Sequence, residues 1–285
     1  GSYPVVTGKG FSGIFDPFRD ALRTAVSDQL AAGIDIISDG QVRGDMVKIF
    51  TSRLPGVRGA DVIGKVSPPE GPITLGDTRY ALSRAPMVKG IITGPTTLSF
   101  ALHISTPVYR DRGELALDLA YALAQEAQFL AAAGAAVIQI DEPILSTGVA
   151  DLTSAREALE VLARGIKVPV CLHVCGDLTP VISELVRMPV EILDFEFAQS
   201  PGNLALCREM DFGKRMIGFG CVDSSAPVAE TADVIRSRIE TALSVFAPEQ
   251  LLIDPDCGLR MLPRDTAYLK LARMVEAVKE VRKDL

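Results

Sequence analysis

The stretch 171-CLHVCGD-177 ends a hydrophobic run in a histidine and a cysteine two positions apart, in a chain with only two histidines. Side chains two apart on a strand share a face, so His173 and Cys175 leave the strand together and one metal ion could hold both. Imidazole nitrogen and thiolate sulfur are donors that zinc prefers, usually in sets of four, and a catalytic site keeps one position exchangeable. Alone, the pair is served equally well by packed structure, because a single His beside a buried Cys is common in cores. A second cysteine shifts that balance: Cys257 lies in 254-DPDCG-258, a polar turn where a structural thiol has little to pack against. Glu196, ending the run 190-VEILDFE-196, offers a carboxylate. Two thiolates and a carboxylate would leave such a site net negative, which keeps a bound sulfur nucleophilic, whereas neutral imidazoles would favour acidifying water. Cys171 shares the face of His173 at a deeper position and reads, with Cys207, as packing; Cys221 is open to either role.

These residues need a scaffold that brings distant strand ends together. Helical and strand patterns alternate along the chain: 16-DPFRDALRTAVSDQLAAG-33 before 34-IDIIS-38, then strand 87-MVKGIIT-93, helix 113–134 before 136-AVIQI-140, helix 153–166 before 168-VPVCLHV-174, helix 179–188 before 190-VEILDFE-196. The series continues with 215-RMIGFG-220, a helix over 229–246, strand 251-LLID-254 and a closing helix near 264–284. The strands are apolar throughout and do not alternate with polar residues, as expected when both faces of a parallel sheet are covered. Counting residues 1–4 as the end of a further stave, the pattern predicts one (β/α)8 TIM barrel over 1–285, with a Gly- and Pro-rich insertion at about 51–86 covering its mouth. A doubly wound open sheet is the rival, but neither G-x-G-x-x-G after a first strand nor a P-loop is present. In a barrel, catalytic groups sit at the C-terminal strand ends, and His173, Cys175, Glu196 and Cys257 all fall there. So do Asp39, Asp223 and 141-DEP-143, which either cap the following turns or serve a substrate ammonium or a proton. His103, in 98-LSFALHIS-105, reads as a helical histidine.

Composition narrows the function classes. Hydrophobic residues make up 48%, charged residues 23%, and the net charge is -7, which disfavours a nucleic-acid surface. No apolar run is long enough to span a bilayer and no export signal is visible, so a cytoplasmic protein is expected. Five irregularly spaced cysteines fit reduced thiols better than a disulfide framework.

The motifs 1-GSYP-4, 43-RGDMV-47, 90-GIITGPTT-97, 137-VIQIDEP-143, 173-HVC-175, 196-EFAQS-200, 218-GFGCVD-223 and 252-LIDPDCGL-259 fall in order along nearly the whole chain. In these the sequence resembles the C-terminal catalytic domain of the cobalamin-independent methionine synthase family, and in particular a short archaeal-type core enzyme. The resemblance implies the barrel shared with uroporphyrinogen decarboxylase, and zinc held by His173, Cys175, Glu196 and Cys257. It implies that homocysteine binds the zinc through its sulfur and accepts a methyl group to give methionine. It places the amino acid against Gly1 and Ser2, with Asp141 pairing with the ammonium, and matches Gln41 to a family glutamate that touches the substrate.

The departures bear on the methyl donor. The folate-using enzymes carry a second, N-terminal half and a pterin-stacking tryptophan; this chain has no tryptophan, and Ala101 takes that place. Thr147, Gly64 and Lys65 replace family folate contacts, and Ser225 stands where the family has a proton-donating histidine. A tertiary amine such as methyl-tetrahydrofolate needs an acid to leave, whereas a methylated corrinoid leaves as Co(I) without one. The expectation is therefore a zinc-dependent methionine synthase whose donor is a methylcorrinoid, methylcobalamin or a corrinoid protein, with methyl-tetrahydromethanopterin as the near variant. Two other readings stay open: a corrinoid-dependent methyltransferase acting on coenzyme M or a related thiol, and a non-catalytic zinc-stabilised barrel that binds a corrinoid or partner protein.

Overall fold

The computed structural model describes residues 1–5 and 16–285. Its strands are β1 (Val57–Arg58), β2 (Asp61–Val62), β3 (Lys89–Thr93), β4 (His103–Ile104), β5 (Val137–Asp141), β6 (Val170–Val174), β7 (Ile192–Glu196), β8 (Met216–Val222) and β9 (Leu251–Pro255). A single sheet runs β3-β5-β6-β7-β8-β9, every neighbouring pair parallel. Between its strands the chain passes through Arg112–Ala132, Leu152–Ala163, Ile182–Leu185, Gly202–Arg208 and Ala232–Ala242, and Arg264–Val281 follows the last. Every residue of β5, β6 and β7 is buried, because helices cover the outside and side chains fill the inside. The architecture is the expected α/β barrel.

Two staves are less regular than the sequence pattern predicts. The run at 34–38 is reduced to one parallel bridge, Ile37 to Val88. The reason is local: the Gln29 side chain accepts from Ser38 N at 2.9 Å and donates to Ser38 O at 2.9 Å, taking the backbone groups a neighbouring strand would otherwise use. Residues 1–3 then close the ring. Tyr3 N donates to Gly40 O at 2.9 Å, and Leu259 N donates to Ser2 O at 2.8 Å, so the segment joins the end of β9 to residues 38–40.

Segment 51–86 is not one loop. Its first part makes β1 and β2, and β2 pairs in parallel with β4, beyond the end of β3. Its later part is the helix Leu75–Leu82, whose start is held by buried Glu126 accepting from Ile73 N and Thr74 N, each at 2.7 Å. His103 is not helical either. The helix Pro95–Ala101 ends when Leu102 turns extended and buries its side chain, and His103 passes exposed into β4 opposite Asp61. The helix expected over 179–188 shortens to Ile182–Leu185. Among the described residues no helix is long and apolar enough to cross a membrane.

The loop after β3 shows how closely this end of the barrel is packed. Glu142 accepts from Thr96 N at 2.9 Å and from Thr97 N and Oγ1 at 2.6 Å each, so the carboxylate fills the space beside Gly94. A Cβ on Gly94 would collide with the Glu142 side chain. Gly94→Ala is expected to cost about 1–3 kcal/mol, as overpacking does, read as a lower urea midpoint with unchanged slope.

Candidate metal centre and acceptor site

Inside the barrel the side chains form layers. Val137, Cys171 and Ile192, with Met216 and Leu252 against them, make an apolar floor, so the deeper cysteine does pack as expected. Two residues further along the same strands stand Gln139, His173, Asp194 and Asp254; two further again stand Asp141, Cys175, Glu196 and Asp256. The alternation of strand side chains thus carries the interior from apolar floor to polar mouth. Cys207 and Cys221 are buried in the outer core, and all five cysteines are free thiols.

His173, Cys175 and Cys257 converge. One ligand atom from each lies within 4.8 Å of the others, His173 being buried, Cys175 partly buried and Cys257 exposed. One imidazole and two thiols at the rim of a cavity are a donor set that fits zinc. His173 Nδ1 lies 3.2 Å from Asp194 Oδ2, a close charge contact off the line of an ideal hydrogen bond. That contact leaves the other ring nitrogen to the cysteines. Burial opposes a charge on His173, yet Asp194 outweighs it and raises the imidazole well above its ordinary range. Asp194 is itself held low against burial by His173 and Lys89, while burial and the charge of Asp194 push neighbouring Asp254 well up. A hydrogen bond from Cys175, reinforced by His173, pulls the Cys257 thiol down to about 4.

Glu196 stands outside this cluster of three. It ends β7 at the same mouth, but Ser200 Oγ donates to its Oε1 at 2.7 Å and Gly176 N to its Oε2 at 3.3 Å. Its loop is tied to Cys257 by a residue that the sequence reading passed over. Asp256, fully buried, accepts from Phe197 N at 3.0 Å and Ala198 N at 2.8 Å through Oδ1, and from Gln199 N at 2.8 Å through Oδ2. One carboxylate therefore fixes the residues after Glu196 relative to the residue before Cys257. Asp256→Ala is expected to keep the barrel but lower zinc affinity about 10–100-fold, as loss of an outer partner does, measured by chelator competition.

The remaining candidates divide. Asp141 is buried opposite His173 in the β5–β6 register, and Gln139 Nε2 donates to its Oδ1 at 2.7 Å. Gly1 and Ser2 lie against Gly258, beside Cys257, close enough that a Cβ on Gly258 would collide with Ser2 Oγ. Gln41 has φ 46, a left-handed conformation rare for a side chain of this kind, fixed by its own N–H to Asp39 Oδ1 at 2.9 Å and by Arg260 Nη1 donating to its carbonyl at 2.8 Å. Its buried Nε2 finds no acceptor among the described residues. Ser225 is exposed, its Oγ 2.8 Å from Asp223 Oδ1 and 2.9 Å from Gln199 Oε1. Of the folate-contact positions, Thr147 Oγ1 donates to Ile144 O at 2.6 Å and accepts from Val149 N at 3.4 Å, and Lys65 reaches Asp118 at 3.8 Å. The structure adds Lys89, Gln139, Asp194, Asp254 and Asp256. Gln139 in AVIQI and Asp194 in EILDF carried a signal: each is a polar residue at an inward position of an otherwise apolar strand.

A family model described as "Cobalamin-independent synthase, Catalytic domain" matches residues 12–280. A relative from Methanothermobacter marburgensis, called methionine synthase, is 43% identical with 98% of each chain covered. One of the same name from Methanocaldococcus jannaschii is 40% identical over 99% of this chain and 98% of its own. A solved B12-independent methionine synthase from Shewanella sp. W3-18-1, in complex with selenomethionine, aligns with a TM-score of 0.90 at 24% identity, covering 100% of this chain and 96% of that one. At that identity the likeness shows the fold.

Proposed function

The chain belongs to the cobalamin-independent methionine synthase family, methyltransferases with homocysteine as acceptor, and on that premise we propose a zinc-dependent enzyme whose methyl donor is a methylated corrinoid. The observation that carries the zinc is the convergence of His173, Cys175 and Cys257. Zinc, when bound, would lower the pKa of the acceptor thiol so that sulfur is a nucleophile at neutral pH. Asp194 holds the His173 ring in place, and Asp256 holds the loops of Glu196 and Cys257 together. Glu196, already engaged by Ser200 and Gly176, is the ligand of the proposed four that yields most readily to substrate.

Asp141 takes the substrate ammonium, and the free Nε2 of Gln41, with Gly1 and Ser2, takes the carboxylate. An amide donor at 41 suits an anionic partner, where a glutamate would repel it. The acceptor loses its thiol proton, its sulfur forms a bond to the methyl carbon, and the bond from methyl to donor breaks with both electrons going to the donor. The chain supplies no imidazole for the donor side: His173 is committed to the metal set and His103 lies exposed on β4. A donor whose leaving group takes the electron pair without a proton fits that provision, and a methylcorrinoid is one. In this proposal the corrinoid is a substrate and not a resident cofactor of the enzyme.

The test is a donor panel with homocysteine and zinc-loaded protein, methionine being the product measured. Methylcobalamin or a methylated corrinoid protein should support turnover. Methionine made from methyl-tetrahydrofolate or methyl-tetrahydromethanopterin, and not from either corrinoid, would overturn the donor assignment and leave the acceptor assignment standing.

A further inference from the structure

Lys89 enters the barrel at its floor, in register with Val137 of β5, and its side chain rises past the apolar layer into the polar one. An ammonium has three donors and no acceptor, so every neighbour must turn a lone pair toward it. Lys89 Nζ donates to Gln139 Oε1 at 2.6 Å, with Asp194, Asp254 and Asp141 nearby in the same interior. The two ends of the Gln139 amide are alike in shape, and the ammonium decides between them: oxygen faces Lys89, and the NH2 must face the other way. There it donates to Asp141 Oδ1 at 2.7 Å. Gln139 is 3% exposed and Asp141 8%, so neither can exchange this bond freely for water. Asp141 Oδ2 is left without a donor among the described residues.

We propose that Lys89 and Gln139 are positioning residues that hold Asp141 in one orientation, aimed at an ammonium, so that the site takes amino-acid thiols and disfavours thiols that lack the amine. The inference rests on the acceptor reading above and deepens it. A ligand without an ammonium would cover the free carboxylate oxygen without pairing it, a loss that falls on that ligand alone. Coenzyme M, whose charge is a sulfonate, is such a ligand.

The experiment compares two product-like ligands on zinc-loaded full-length protein by titration calorimetry: methionine and 4-(methylthio)butyrate, its analogue without the amine. The variants are Gln139→Leu and, in case a branched side chain disturbs the core, Gln139→Met. Either should bind methionine about ten-fold or more weakly, the loss of a charge-assisted bond, while the analogue binds within about two-fold of wild type and zinc content is unchanged. Unaltered methionine binding in both variants would overturn the relay, and so would an equal loss for both ligands, which marks a merely structural role. A wild-type protein that shows no preference for methionine over the analogue would instead overturn the acceptor reading, and the relay with it.

Discussion

Cys257→Ala is expected to abolish zinc retention and methionine formation together while leaving the thermal unfolding midpoint of the metal-free protein nearly unchanged. The thiol is exposed in a polar turn and contributes nothing to the core, so its loss opens no cavity. Removing it leaves His173 and Cys175 of the converged cluster, with Glu196 already engaged by Ser200 and Gly176, too weak a donor set to hold a tetrahedral ion. The fall in zinc affinity should exceed the roughly 10–100-fold typical of an outer partner such as Asp256. His173→Ala should lose zinc as completely but also lose stability, because it leaves buried Asp194 beside Asp254 with Lys89 alone to offset its charge. Glu196→Gln should be milder than either, since its carboxylate is held by Ser200 and Gly176 and lies outside the cluster. Metal content after dialysis against a chelator, with circular dichroism on the same samples, reads all three. Full activity in Cys175→Ala would refute the metal-centred mechanism outright.

What the sequence made legible was whatever followed from periodicity along single strands. The barrel was visible because seven short apolar runs alternate with helical patterns, six of them becoming the strands of the sheet, and the metal residues because they fall at or just after the ends of those runs. What resisted were contacts made across the chain. Gln29 replaces a strand partner for Ser38, and nothing in 34-IDIIS-38 announces that a side chain from the preceding helix will take its backbone bonds. Asp256 was overlooked beside the more conspicuous Cys257, although its carboxylate is what locks the two loops. His103 misled because 98-LSFALHIS-105 keeps helical spacing up to the point where Leu102 is drawn into the core. The interior pair Lys89 and Gln139 was readable in principle from inward polar positions. Their pairing was not, since it depends on which strands become neighbours.

Turnover with methylcobalamin is expected to exceed turnover with methyl-tetrahydrofolate by about 10²–10⁴-fold, the range that a positioned general acid contributes and that this chain lacks on the donor side. The two donors present the same methyl carbon to the same sulfur and differ in what leaves. An amine nitrogen departs as an anion unless a proton arrives with it, whereas cobalt accepts the electron pair as Co(I). Ser225 occupies the position at which the family resemblance would place the acid, and a serine hydroxyl is too weak an acid for that step at neutral pH. The surroundings would nonetheless suit an imidazole. Asp223, held low against burial by bonds from Ser225 and Ala226, stays anionic and lies 2.8 Å from the Ser225 hydroxyl. Ser225→His would therefore place a ring beside a carboxylate that both orients it and keeps it protonated. That variant should raise turnover with methyl-tetrahydrofolate by up to about 10²-fold, the low end of the range, because only the acid is restored and not the pterin contacts. Its turnover with methylcobalamin should be unchanged, since that reaction has no use for the proton. An equal gain with both donors would show that position 225 acts through the loop and not as an acid, and a wild type equally active on both would show that the proton comes from elsewhere in the mouth.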